Sequence, residues 1–290
     1  MSRPARLAQS TALLYAGGAY DPTTAAGQLA WQRASGSGLL VGAGPQRELP
    51  GSHPALGGGR IAWREGATVV VANAATLAEL ERHAAPGAGV LAVSASLLAW
   101  RARDPAGTDR VWVVAAGGAP RLVLELPPPE EIGRPALLGD RLLCHVAGPA
   151  GSRLIAVDAA SGAQEPLRAE PGAQLTNPAT DGRRLLYVHA TGRAQELRIG
   201  PLIALDPAAD EILLVHPSSG RRDREHEPGR RRHRRGARRP VLPPRAEPGI
   251  VDTLWTAALA TDAAFVTRLR ARRGAARTAD ILRVPLAQPG

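Results

Sequence analysis

The ten residues PATDGRRLLY (178–187) return twice more along the chain, as PALGGGRIAW (54–63) and PALLGDRLLC (135–144). The shared pattern is Pro-Ala-x-x-Gly-x-Arg-(Ile/Leu)-x-anchor, where the anchor is Tyr187, Trp63 or Cys144. Proline suits the first residue of a strand, because no ladder donor is needed there. Gly58, Gly139 and Gly182 suit a turn with positive φ. The apolar run after each glycine reads as a short strand.

Working outward, the anchor register extends to six segments: QLAWQR, RIAWRE, LLAWRA, RLLCHV, RLLYVH and DAAFVT. Their anchors are Trp31, Trp63, Trp100, Cys144, Tyr187 and Phe265. The chain has nine aromatic residues, and five of them fall in this one register. Pro22, Pro54, Pro135 and Pro178 stand at the same offset before four of the anchors. A second strand follows across a Gly/Pro loop, at Glu65-Gly66, around Asp104–Gly107 and around Gly148–Ser152. VVAAGGAPRLV and VDAASGAQEPL then turn into a further, outer strand. AATLAELERHA (74–84) admits two readings, an amphipathic helix or a turn followed by an edge strand.

From Trp31 to Tyr187 the anchors recur at similar intervals, and the step from Tyr187 to Phe265 is nearly double the others. Units of about 40 residues with three or four strands are propeller blades. The last interval is long because it holds an insertion at 217–249. The expectation is one all-β domain over residues 1–290, a β-propeller of six blades. DEILLVHP (210–217) offers the start of a seventh. ALLYAGGAY, ahead of the first blade, can pair into the last and close the ring, which removes two exposed sheet edges.

NPATDGRRLLYV (177–188) and RVWVVAAGGAPRLV (110–123) resemble the repeat of TolB-type, WD-like β-propellers. In that repeat an Asp-Gly turn precedes an apolar strand ending in an aromatic residue, and a Gly-Gly-x-Pro turn leads to the outer strand. The turn aspartate is present at Asp181 and replaced by Gly57 and Leu138 in two other repeats. The resemblance implies the fold. It implies no single function, since such repeats occur in transporter accessory proteins, peptidases, lyases and proteins of unknown role.

The net charge of +10 is local. Residues 221–239 hold ten arginines and three acids, which leaves about +3 for the rest of the chain. All 36 basic residues are arginine, a bias that weakens any argument from the choice of arginine over lysine. The arginine segment contains no aromatic residue for base stacking and no stretch long enough for a groove-reading helix. It reads first as a solvated loop, second as a loop packed across one propeller face. The third reading is a polyanion contact through Arg230, Arg231, Arg232, Arg234 and Arg235, by phosphate charge alone.

No nucleophile elbow, P-loop or dinucleotide fingerprint is present. Asp223, Glu225, Glu227, His226 and His233 match no common zinc spacing. His145 and His189, just past anchors, read as packing residues, with the funnel lining as the alternative. Cys144 reads as a buried, inert thiol, and one cysteine allows no internal disulfide. No apolar run is long enough to span a membrane. The expectation is a monomeric, non-enzymatic propeller that binds a protein or ligand, with no catalytic residue, cofactor or metal assigned. The alternative is a propeller enzyme, a carbohydrate lyase or hydrolase with its site in the funnel. The chain as written reads as cytoplasmic, and as exported if the true N-terminus lies upstream.

Overall fold

The computed structural model describes residues 12–15, 18–42, 45–191, 194–202, 210–217, 250–272 and 278–286. The segment 221–239, with its five candidate arginines, lies outside them, as do the acidic and histidine residues among it.

The described chain opens with β1 (Ala12–Tyr15). Blade one is β2 (Ala19–Ala25), β3 (Gln28–Arg33), β4 (Gly38–Val41) and β5 (Arg47–Glu48). Blade two is β6 (Ser52–Gly57), β7 (Arg60–Glu65), β8 (Thr68–Asn73) and β9 (Glu79–Ala84). Blade three is β10 (Ala88–Val93), β11 (Leu97–Arg103), β12 (Asp109–Ala115) and β13 (Arg121–Leu126). In blade four the inner strand is split into β14 (Glu131–Ile132) and β15 (Ala136–Leu138), followed by β16 (Arg141–Gly148), β17 (Gly151–Asp158) and β18 (Gln164–Ala169). Blade five is β19 (Gln174–Thr180), β20 (Arg184–Thr191), β21 (Ala194–Pro201) and β22 (Glu211–Pro217). Blade six is β23 (Ile250–Leu259), β24 (Ala263–Arg272) and β25 (Thr278–Pro285).

Each blade is an antiparallel meander in sequence order, and the fourth strand of blade six is β1. It pairs with β25 through Ala12↔Arg283, Leu13↔Leu282 and Tyr15↔Ile281. The ring is therefore closed by the N-terminal strand, as the sequence implies. DEILLVHP supplies β22, the outer strand of blade five, so the count is six. AATLAELERHA forms no helix. Asn73 Oδ1 accepts the N–H groups of Ala75 and Thr76, at 2.9 and 3.0 Å, and turns the chain there. Glu79–Ala84 then pairs with β8 as an edge strand.

The anchors stand on the second strand of every blade. Trp31, Trp63, Trp100, Cys144 and Tyr187 are buried. Trp63 packs against Ala30 and Leu40 of blade one, Trp100 against Val69 and Val71 of blade two, and Tyr187 against Leu154 and Ala156 of blade four. Each of these faces the preceding blade. Phe265 breaks the rule. It is half-buried and packs with Trp31, Leu39 and Ala19 of blade one, while Ala264 and Val266 face blade five. Side chains alternate across a strand, so a register shift of one residue sends an anchor to the opposite face.

The prolines also depart from expectation. Pro22, Pro54 and Pro178 lie inside the innermost strands and not at their starts. Each sits at a break in register, between Tyr20 and Thr23, Ser52 and Ala55, or Thr176 and Ala179. Pro135 lies in the gap between β14 and β15. A bulge leaves a residue unpaired, so proline costs no ladder hydrogen bond at that point. The glycines behave as read: Gly58, Gly139 and Gly182 have φ of 57°, 57° and 92°.

Candidate functional site

Pro22, Pro135 and Pro178 line one cavity between the innermost strands, and the Arg134 guanidinium ties Pro54 to the same level; the residues just before the four prolines gather there. These residues are Asp21, His53, Arg134 and Asn177, from blades one, two, four and five. Asp21, His53 and Asn177 share a left-handed backbone, with φ of 55°, 54° and 53°. Such a conformation is disfavoured for residues with a Cβ, and the following proline disfavours helical backbone further. Strain of this kind gathers at functional sites, where the surrounding structure holds it in place.

Hydrogen bonds from neighbouring blades hold it here. The Asp21 N–H donates to Thr267 Oγ1 of blade six at 3.1 Å. The His53 N–H donates to Gln32 Oε1 of blade one at 2.5 Å. The Asn177 N–H donates to His145 Nδ1 of blade four at 3.0 Å, and its side-chain amide donates to the Trp255 carbonyl of blade six at 2.9 Å. Trp255, on the innermost strand β23, is 50% exposed, the one exposed aromatic ring among the described side chains.

Arg134 crosses the channel. From blade four its guanidinium donates to the carbonyls of Pro22 in blade one and Pro54 in blade two, both at a long 3.4 Å. Beyond it lies a cavity of about 90 Å³, walled by inner-strand residues such as Thr23, Leu56, Leu91, Ala179 and Ala257. Among the described residues every other one in the wall is uncharged. Desolvation lowers the Arg134 pKa from its ordinary value, and Asp21 opposes that in part. His53 is held below the usual imidazole range, first by burial and then by Arg64, with Asp21 opposing and Arg134 adding to the depression.

His145 lies between blades rather than in the funnel. Burial, aided by Arg101, lowers its pKa to about 4, so the ring is neutral and Nδ1 is free to accept. His189 is buried and pairs with Glu170 Oε2 at 2.9 Å. Both therefore follow the packing reading. Cys144 is buried, and desolvation pushes its thiol up to about 12, which leaves no thiolate to react at neutral pH. Among the described residues no three His, Cys, Asp or Glu side chains converge as a metal site.

A second depression, of about 610 Å³, lies over blades two and three beside Trp100, Trp112 and Pro86. Its charges are already paired: Arg110 with Asp104 at 2.9 Å and Arg103 with Glu131 at 2.9 Å. The channel mouth differs, because Arg134 has no carboxylate within ion-pair distance among the described residues.

Reading along the chain misses this ring, since its members come from four separate repeats. Reading down the repeats finds them, each the residue before the repeated proline.

Solved structures carry the same architecture. TolB from Acinetobacter baumannii superposes with a TM-score of 0.50 at 11% identity, covering 87% of this chain and 60% of TolB. The chain has a TolB-type β-propeller fold. The acylaminoacyl peptidase of Pyrococcus horikoshii matches this propeller with a TM-score of 0.52 at 14% identity, over 88% of this chain and 45% of the peptidase. The β-propeller domain of the Trilobed protease from Pyrococcus furiosus, described as having an open velcro topology, gives a TM-score of 0.50 at 12% identity, over 91% of this chain and 94% of that domain. The propeller here thus spans only part of the length of TolB and less than half of the peptidase. No protein-family model matches its sequence, and no curated protein matches it.

Proposed function

We propose that this protein is a non-enzymatic binding propeller whose protein partner docks on the channel mouth bearing Trp255, Asn177, His53 and Arg134. The observation that carries this reading is the combination on one rim of strained backbone, a half-exposed tryptophan and an arginine without a carboxylate partner. Tryptophan and arginine dominate the energetics of protein interfaces. The cavity behind Arg134 is well below the roughly 300–1,000 Å³ of small-molecule sites, so a ligand's bulk stays outside.

The enzyme reading draws on the nearness of Asp21 and His53. Asp21 is only 7% exposed, however, and its Oδ1 is enclosed, so it presents no free carboxylate to a substrate arriving from solvent. Binding to a partner needs no such group.

Site-specific photo-cross-linking tests the proposal. A benzophenone amino acid replaces Trp255 in one variant and Leu80, 53% exposed on the outer strand β9, in the other. In the source cells the 255 variant should give a discrete protein adduct and the 80 variant none. Equal labelling from both positions, or none from 255, overturns the reading.

A further inference from the structure

Arg134 is costly as a purely structural residue. Its guanidinium is taken from water beside a cavity whose other described wall residues are uncharged, it gains two long hydrogen bonds to carbonyls in return, and Asp21 offsets the desolvation only in part. A guanidinium has five donors, so three remain without a partner among the described residues. Desolvated charges are retained at a cost unless they are well paired, and replacing them with apolar groups is often neutral or stabilising. Where the side chain lies is equally informative. It is neither fully buried nor fully exposed, spans from blade four to the carbonyls of Pro22 and Pro54 in blades one and two, and so lies beside the strained residues Asp21 and His53. Arg64 adds a second positive charge near His53, where Asp21 is the one carboxylate among the described residues that acts on it.

Resting on the binding reading above, we propose that Arg134 recognises a carboxylate which an acidic peptide segment of the partner inserts into the channel mouth. A guanidinium fork matches a carboxylate in a two-point contact, and that contact is stronger in a site shielded from water. The cavity beside Arg134, about 90 Å³, has room for one side-chain carboxylate or a chain terminus and none for a bulkier peptide segment. The flanking peptide then lies across the rim beside Trp255.

The test uses the full-length protein and three blocked or free peptides, followed by saturation-transfer NMR titration. The first is acetyl-Gly-Ala-Glu-Ala-Gly-amide, the second its Gln counterpart, the third acetyl-Gly-Ala-Ala with a free C-terminus. At least one carboxylate peptide should bind about 10-fold more tightly than the Gln peptide, the scale of one charge-assisted contact. Which of the two does so identifies the source as a side chain or a chain end. R134Q should remove the preference, and R134K should weaken it by losing the fork. Thermal melting shows that each variant is folded, and R134Q should melt no lower than the parent. Equal binding of all three peptides by the parent protein overturns the proposal even if neither variant folds. So does a preference that persists in R134Q. If those results come with an intact Trp255 adduct, the carboxylate subsite falls and mouth binding stands. If the adduct is absent, both fall together.

Discussion

His145 Nδ1 accepts the backbone N–H of Asn177 at 3.0 Å, and so ties blade four to the strained rim residue of blade five. The bond requires a neutral imidazole with its lone pair on Nδ1. Burial supplies that condition, and Gly133 makes the close packing possible, because a Cβ there would collide with the ring. Gln32 of blade one does the same for His53 of blade two. In both cases the residue just after an anchor reaches forward to hold the next blade's bulge.

This geometry gives the fold a defined response to acid. The native pKa of His145 is about 4, against an ordinary 6.5. Below pH 6.5 the unfolded chain takes up a proton that the native state refuses, so stability falls as pH drops from 6.5 to 4. The loss attributable to this residue is at most about 3 kcal/mol. Urea melts at pH 7, 5.5 and 4.5 should show the slope, and H145N, which can still accept from Asn177, should flatten it. An unchanged slope in H145N would place the acid response elsewhere.

A fully buried ion pair joins blades four and five. Arg168 Nε lies 3.2 Å from Asp210 Oδ2, and the Tyr187 hydroxyl donates to the same oxygen at 2.7 Å. Removing one partner strands the other charge without solvent. D210N should cost roughly 3–5 kcal/mol, read as the shift of the denaturant midpoint.

Two anchors test the packing argument against each other. W63A should cost roughly 3–5 kcal/mol, because Trp63 is buried between blades and its removal leaves a large cavity. F265A should cost less, about 1–2 kcal/mol, because Phe265 is half-buried on the other face of its strand. Equal losses in equilibrium unfolding would mean that the two occupy equivalent sites after all.

Ring closure depends on the short strand β1. Deleting residues 1–15 removes it and exposes the edge of β25. Amide exchange in Thr278–Pro285 should accelerate while Thr68–Asn73, in the middle of blade two, keeps its protection. A uniform change across both strands would show that opening the ring unfolds the whole propeller cooperatively.

The sequence alone determined the blade. Period-two apolar runs, Gly58, Gly139 and Gly182 at their turns, and an anchor recurring once per repeat are all local signals. Each reflects forces acting within one hairpin. They were enough to read an all-β propeller, its six blades and its closing strand. Tertiary structure decided how the blades meet. The face chosen by Phe265 is settled by its packing against Trp31, Leu39 and Ala19 of blade one, which lie far from it in sequence. The prolines mark bulges and not strand starts, because the inner strands border an open channel. The rim at Asp21, His53, Arg134 and Asn177 exists only once four blades stand around one axis. Its electrostatics arise from charges far apart in sequence that share one poorly solvated space, and no pattern along the chain encodes that distance.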